Sequence, residues 1–248
     1  MTKIRYIIPR IYGAIGYKQF YSLSYQVLDL FFSESYRKAG FNPFNYYEFG
    51  TGEGRSIRYY LKALKKLSPI WKKIGYNISD FRIFLFDSFE GLPEYDGERD
   101  KNPIWKKGQF KGSIDEIKKV IKKTYAEILP NVRFIKGYFE NTLNDELKKE
   151  LSPYPPSFVN IDVDYYSSAK YVLNFISSIF QEGTICYFDD IFEYLGNPTK
   201  GELAAIDEYN RDHQDSQLGH FRRFNISALQ DSIYVIYKPV IDSSKLKI

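Results

Sequence analysis

The chain has a single cysteine among its 248 residues, Cys186, and therefore cannot form a disulfide within itself. Cys186 lies in the short apolar run Thr184–Phe188, which indicates a buried core thiol. No run reaches the about 18 apolar residues that a membrane-spanning helix needs. The N-terminus lacks the apolar stretch and the small-residue cleavage site of a signal peptide. These absences predict a cytoplasmic protein with no membrane span.

A strong concentration of basic charge is also missing. The formal net charge is +4, and lysine pairs such as Lys118-Lys119 and Lys122-Lys123 are scattered among acidic residues. We interpret them as solvent-exposed helix faces, because a nucleic-acid-binding surface clusters its basic residues more strongly. The sequence therefore predicts no nucleic-acid partner.

Short apolar runs alternate with helical patterns along most of the chain, which is typical of parallel β-α-β units. The predicted strands lie at residues 46–49, 81–86, 132–135, 157–161, 184–188, 221–227 and 232–237. The predicted helices lie at about residues 20–39, 56–67, 113–128, 144–151, 167–180 and 201–211. The polar stretch 90–111 reads as a loop or lid. The pattern predicts an α/β fold with a Rossmann-like, doubly wound, mostly parallel seven-stranded sheet that ends in an antiparallel hairpin.

Glycines follow the first predicted strand in the pattern E-x-G-x-G-x-G, formed by Glu48, Gly50, Gly52 and Gly54. Glycines permit a tight turn and a close approach of the backbone to a ligand. The pattern differs from the G-x-G-x-x-G of dinucleotide sites and lacks the lysine of a phosphate loop. A loop of this kind, preceded by an acid, favours a positively charged or zwitterionic ligand such as S-adenosylmethionine (SAM).

Polar residues also follow the second and third predicted strands. Asp87 and Ser88 come directly after the second strand, where an acid can accept both ribose hydroxyls of a nucleoside. Phe139 and Glu140 follow the third strand, where an aromatic ring can frame an adenine. Both positions suit a nucleoside-bearing cofactor.

Aspartates follow the fourth and fifth predicted strands, as Asp162 with Asp164 and as Asp189 with Asp190. The two strands are expected to be neighbours, so both clusters should meet at one edge of the sheet. Crowded carboxylates repel one another and are costly to ionise together. A hard divalent cation, Mg²⁺ or Mn²⁺, relieves this repulsion. The sequence therefore predicts a metal site at this edge.

Taken together, these motifs resemble the macrocin O-methyltransferase family, the mycinamicin and novobiocin sugar O-methyltransferases within the class I SAM-dependent methyltransferases. The similarity rests on segments that occur in the family's order: YEFGTGEGRSI (47–57), FDSFEGLPE (86–94), KKGQF (106–110), VRFIKGYFENTL (132–143), IDVDYYSS (161–168), YFDDI (187–191) and KGELAAIDEYN (200–210). Where the family commonly has D-G-D, this chain has Asp162-Val163-Asp164, and residues 1–44 show no match.

The resemblance implies a metal-dependent O-methyltransferase that binds SAM and acts on a hydroxyl of a sugar or a glycosylated small molecule. It implies a Mg²⁺ site formed by Asp162, Asp189 and Asp190. The predicted cofactor-binding residues are those of the strand-end loops: Glu48, Gly50, Thr51, Gly52, Gly54, Ser56, Asp87, Ser88, Phe139 and Glu140. The acceptor is expected to be a small molecule or a glycan, and its identity stays open.

Methyl transfer to a hydroxyl requires alignment of oxygen, methyl carbon and sulfur, and removal of a proton. We predict that Asp162 is the base or adjoins it, with Asp164 as an alternative base or as a residue that orients the metal ligands. Residues 1–44 are predicted to form a helical extension that serves acceptor binding or oligomerisation, followed by a methyltransferase domain at 45–240. A homodimer is expected from the resemblance alone.

Two other functions are compatible with the same residues. The Asp162-Val163-Asp164 pattern after an apolar strand also occurs in metal-dependent glycosyltransferases, although the glycine loop argues against that function. A catalytically silent methyltransferase fold that serves as a partner protein is the third interpretation, since a fold alone does not determine a function.

Overall fold

The computed structural model describes residues 4–222, 224 and 232–240, with side chains from residue 18 onward. In these residues seven strands form one sheet in the order β3-β2-β1-β4-β5-β7-β6. The strands are β1 (Asn45–Phe49), β2 (Arg82–Asp87), β3 (Val132–Lys136), β4 (Phe158–Ile161), β5 (Ile185–Phe188), β6 (Gln217–His220) and β7 (Ile233–Tyr237). The first five strands pair in parallel, whereas β7 runs antiparallel to both β5 and β6. This arrangement confirms the predicted fold class.

Helices cover both faces of the sheet. The described α-helices are α1 (Ile4–Phe31), α2 (Glu34–Lys38), α3 (Arg55–Lys72), α4 (Ile114–Tyr125), α5 (Phe139–Thr142), α6 (Asp145–Leu151), α7 (Tyr166–Ile176) and α8 (Gly201–Asp212). Successive strand residues point to opposite faces, so Tyr46 belongs to the core under α1, α3 and α4, and Tyr47 to the core under α7 and α8. Burial on both faces explains why the strands read as nearly continuous apolar runs.

The first predicted helix, at residues 20–39, is wrong in its bounds. Helix α1 already begins at Ile4 and ends at Phe31, and a separate short helix α2 follows. Ser33 between them has an extended backbone, with φ −64° and ψ 157°, which a continuous helix cannot contain. Leu23 and Leu64 share one buried cluster, so α1 packs against α3. The separate role predicted for residues 1–44 stays a prediction.

The first strand of the C-terminal hairpin is predicted to begin at residue 221 and to end at residue 227, and this start is wrong. The strand that pairs with β7 is β6, which ends at His220. The Asn210 side chain of α8 fixes it, because its Oδ1 accepts the N–H of Leu218 at 2.8 Å and its Nδ2 donates to the Leu218 carbonyl at 3.0 Å. Residues 223 and 225–231 of the predicted hairpin lie outside the described residues.

Two further predictions concern membrane-spanning helices and the environment of Cys186. Across the described residues, no helix combines the length and the apolar character needed to cross a membrane. Cys186 has no exposed surface in β5, as expected for a core thiol, and burial raises the pKa of this thiol well above its usual value.

Candidate active site

The loop after β1 lies against the loop after β4. Gly50 has φ +82°, and a Cβ at this position would lie 1.6 Å from the carbonyl oxygen of Asp162. Only a residue without a side chain fits there, because this approach is between two backbone segments. The glycine loop, residues 50–54, is therefore held directly against the first of the predicted metal ligands.

Asp87 at the end of β2 braces the glycine loop. Its Oδ2 accepts the N–H of Gly52 at 2.7 Å, and its Oδ1 accepts the N–H of Phe89 at 2.5 Å. Burial raises the pKa of this carboxyl above its ordinary value, although these backbone donors lower it in part. The sequence predicted Asp87 as a ribose-binding acid but did not predict that it also shapes the glycine loop.

The two aspartate clusters meet, as the sheet register requires. Ile161 of β4 is level with Phe188 of β5, so the residues that follow them, Asp162 and Asp189, end neighbouring strands side by side. Asp162, Asp189 and Asp190 each offer a carboxylate oxygen, and these oxygens all lie within 4.8 Å of one another. Asp164 adjoins them, because its N–H donates to Asp190 Oδ2 at 3.1 Å.

The acids of this group hinder one another's ionisation. Burial, reinforced by the charges of Asp189 and Asp164, raises the pKa of Asp162 well above its usual range. Burial and then Asp189 raise the pKa of Asp164 to about 7. Burial is also the main cause of the raised pKa of Asp190. A set of carboxylates that is difficult to ionise alone becomes favourable when a divalent cation neutralises it.

A fifth acid, Glu202, was not predicted from the sequence. It lies in the first turn of α8 with no exposed surface, and its Oε2 accepts the N–H of Asp190 at 3.0 Å. Its place as the one acid in the first turn of α8, within the segment 200–210 that resembles the family, is the available signal. That signal is weak, because acids at helix starts usually stabilise the helix dipole in water.

A cavity of about 440 Å³ opens above the carboxyl ends of the strands. The predicted site residues that line it are Gly50, Thr51, Gly52, Ser56, Asp87, Ser88, Phe139, Glu140, Asp162, Asp164, Asp189 and Asp190. Helix α7 adds Ser167, Ser168 and Tyr171 from one face, a contribution that the sequence did not predict. Residues from five strand-end loops therefore share one cavity.

Two of the predicted cofactor-binding residues do not line the cavity. Glu48 is completely buried in β1, its Oε2 accepts the Tyr46 hydroxyl at 2.5 Å, and burial raises its pKa to about 8. Gly54 precedes α3 with φ +74°, and a Cβ there would lie 3.0 Å from Ile117. Glu48 is therefore part of the interior of the sheet, and Gly54 lets the end of the glycine loop pack against Ile117 of α4.

The segment Glu90–Lys111, called the 90–111 loop below, closes one side of the cavity. Its two ends meet, since the Leu92 N–H donates to the Gln109 carbonyl at 2.8 Å. Its middle is fixed by the buried Asp100, which accepts the N–H and the hydroxyl of Ser167 and the N–H of Asp96. The predicted loop is thus attached to the start of α7, and Leu92, Pro93 and Phe110 face the cavity from it.

Replacing Asp100 by asparagine should lower the free energy of unfolding by about 1–3 kcal/mol, as expected for a buried donor that loses its acceptor. The amide nitrogen of asparagine would face the donors of Ser167 or Asp96. Urea denaturation measures the effect, and trypsin should cut the variant faster at Lys101. The control is Glu98→Gln, which changes an exposed ion pair with Lys101 and should behave like the wild type. Equal stability and equal cleavage of the two variants would contradict the proposed anchor.

Comparison with known proteins identifies the family of the chain. The profile of the macrocin-O-methyltransferase (TylF) family matches residues 73–217, which is more than half of the chain. The matched range includes Asp87 and the aspartates of β4 and β5, and the glycine loop precedes it. No curated protein sequence matches the chain.

Two solved structures have a similar fold. The calicheamicin methyltransferase CalS11 has a TM-score of 0.57 and 18% identity over 88% of this chain and 77% of its own. The O-methyltransferase NovP has a TM-score of 0.56 and 20% identity over 89% of this chain and 79% of its own. At these sequence identities the structural similarity establishes the fold alone, whereas the match to the family profile establishes membership of the family. The chain belongs to the macrocin-O-methyltransferase family and is a SAM-dependent O-methyltransferase.

Proposed function

We propose that this methyltransferase requires a divalent cation, Mg²⁺ or Mn²⁺, and methylates a hydroxyl of a sugar or of a glycosylated small molecule. The observation that carries the proposal is the convergence of Asp162, Asp189 and Asp190, with carboxylate oxygens within 4.8 Å of one another. An oxygen-only set of ligands fits these hard cations. When bound, such a cation lowers the pKa of a coordinated hydroxyl and orients its oxygen.

The cofactor side of the cavity is assigned to the glycine loop, Asp87 and the start of α5. Asp87 already accepts two backbone N–H groups, which fix its orientation. An ionised carboxylate has about four acceptor positions, so it can still accept the ribose hydroxyls of SAM. Phe139 and Glu140 line the same side, where an aromatic face can frame the adenine.

The charge of the cavity also favours these ligands. Among the described residues that line it, Arg55 is the one basic side chain, and it pairs with Glu53 at 2.7 Å. The remaining charged lining residues are acids, so the cavity concentrates negative potential and attracts cations. A divalent metal and the sulfonium of SAM both match this potential.

The acceptor side is assigned to the 90–111 loop and α7. Leu92, Pro93, Phe110 and Tyr171 present apolar surface there, and Glu94 adds a carboxylate. Apolar and aromatic faces suit the C–H surface of a sugar ring, while carboxylates accept hydrogen bonds from its hydroxyls. This mixture supports a sugar acceptor rather than a purely apolar one.

Proton removal is assigned to the aspartates that follow β4. Asp162 holds the glycine loop through its backbone and contributes a carboxylate to the proposed metal site. Asp164 lines the same cavity. One of the two accepts the proton of the acceptor hydroxyl at a carboxylate oxygen, which is general-base catalysis.

Neither alternative function matches this set of residues as well. Membership of a methyltransferase family separates the chain from D-x-D glycosyltransferases. A catalytically silent relative would have no need for the four aspartates Asp162, Asp164, Asp189 and Asp190 in one cavity, because crowded carboxylates oppose folding. The cytoplasmic location, the absence of a nucleic-acid partner and the homodimer stay predictions.

Cation dependence is tested first by stability, which needs no acceptor. Mg²⁺ at a hundred times its dissociation constant should raise the free energy of unfolding by about 2.7 kcal/mol, and a chelator should reverse the gain. Turnover of SAM in a screen of neutral glycosides and sugar nucleotides should require Mg²⁺ or Mn²⁺. Full turnover in chelator, with no metal bound, would show that the proposed cation dependence is wrong.

A further inference from the structure

Glu202 occupies an unusual place for a glutamate. It has no exposed surface, although buried glutamates are rare unless paired. Its Oε2 accepts the N–H of Asp190, and its Oε1 has no hydrogen-bond partner among the described residues. Burial raises its pKa well above the ordinary value, and the nearby acids Asp189 and Asp164 add to this effect. Burying a carboxyl group with one oxygen unpaired costs free energy of folding, which indicates that Glu202 has a role other than stabilising the fold.

Two hydrogen bonds, one to Glu202 and one to Asp190, connect three elements of the site. Glu202 on α8 accepts the N–H of Asp190 after β5 at 3.0 Å. Asp190 Oδ2 in turn accepts the N–H of Asp164 after β4 at 3.1 Å. The two aspartate clusters are therefore attached to each other and, through Glu202, to the start of α8.

The backbone around Glu202 is arranged to bring it inward. Gly201 has φ +56°, a conformation that favours glycine, and a Cβ there would lie 2.4 Å from the Tyr194 ring. The Gly201 N–H donates to the Arg99 carbonyl of the 90–111 loop at 3.1 Å. The start of α8 is thus fixed from both sides, with Glu202 directed at the backbone of Asp190.

We propose that Glu202 is a positioning residue of the cation site, acting through Asp190. This inference rests on the proposed function, since it concerns the same cation. Glu202 does not line the cavity, and it holds the Asp190 backbone so that the Asp190 carboxylate meets those of Asp162 and Asp189. Residues that orient metal ligands contribute about 10–100-fold to metal affinity.

Two variants separate the effect of the length of the side chain from the effect of its charge. Glu202→Asp keeps the charge but shortens the side chain by one methylene, so its carboxylate withdraws from the Asp190 N–H. Glu202→Gln loses the charge but keeps an oxygen at the correct distance. Cation affinity is measured by calorimetric titration with Mg²⁺ or by electron paramagnetic resonance of Mn²⁺. Either method should show about 10–100-fold weaker binding in Glu202→Asp than in the wild type. Glu202→Gln should bind roughly threefold or more tighter than Glu202→Asp, the equivalent of one hydrogen bond.

The matched control is Glu208→Gln on the same helix. Glu208 accepts the Tyr166 hydroxyl at 2.6 Å and pairs with Lys170 at 2.6 Å and with Arg99 at 2.8 Å, and it does not line the cavity. This variant should lower the thermal midpoint and leave the cation affinity unchanged. Wild-type affinity in Glu202→Asp, or Glu202→Gln no tighter than Glu202→Asp, would overturn the inference. No cation binding by the wild type would overturn the proposed metal dependence together with it.

Discussion

Replacing Gly50 by alanine should abolish SAM binding and destabilise the protein by more than about 4 kcal/mol, a loss expected only for severe steric conflict. The added Cβ would lie 1.6 Å from the Asp162 carbonyl oxygen, and neither backbone segment can yield without moving a strand end. The conflict affects the cofactor loop and the cation site at once. Urea denaturation measures the stability, and calorimetry with SAM measures the binding.

Gly40→Ala is the matched control for this substitution. Gly40 also has a positive φ, +71°, but a Cβ there would meet nothing within 4 Å. Its cost should be limited to the left-handed backbone conformation, about 1–2 kcal/mol. SAM binding should be retained. If Gly50→Ala lost no more stability than Gly40→Ala, the contact between the two loops would not constrain the site.

Replacing Asp162 by asparagine should lower the rate of methyl transfer by about 10²–10⁴-fold, the usual contribution of a positioned general base. Cation affinity should also fall, because one of the three converging carboxylates is lost. In chelator the variant should unfold no earlier than the wild type, since the substitution removes a carboxyl group whose ionisation burial and the neighbouring acids oppose. Affinity for SAM should be close to that of the wild type.

The comparison with Asp164→Asn identifies the base. If Asp164 removes the proton, its variant should lose turnover while keeping the cation affinity of the wild type. Asp207→Asn is the control, because Asp207 forms an exposed ion pair with Arg211 on α8. It should change neither turnover nor cation affinity. Undiminished turnover in both Asp162→Asn and Asp164→Asn would refute general-base catalysis by this pair.

Sequence patterns predicted the location of the site because parallel sheets present their ligands at the carboxyl ends of the strands. The expectation that β4 and β5 are neighbours was enough to predict that Asp162 and Asp189 converge, and the observed register of the two strands agrees with it. The same reasoning assigned the glycine loop and Asp87 to the cofactor, although it did not predict the hydrogen bond between them. It could not separate Glu48, which is buried beneath the loop, from the residues that line the cavity.

The residues that the sequence did not reveal act between different elements of the fold. Asp100 binds Ser167 across 67 positions, and Glu202 binds Asp190 from another element. Neither contact follows a helical or strand period, so only the folded arrangement shows it. Strand β6 was misplaced for a similar reason, because its Gln-Leu-Gly-His sequence has low strand propensity and depends on Asn210 for its position.

The single cysteine gives this protein a built-in reporter of global unfolding. Thiol reagents react with the thiolate, and Cys186 lies on the interior strand β5, between β4 and β7, with no exposed surface and a raised pKa. Its amide and side chain become accessible when the core itself opens, not when a surface loop moves. The rate at which a thiol reagent labels each variant therefore separates a damaged fold from a damaged site without any added probe.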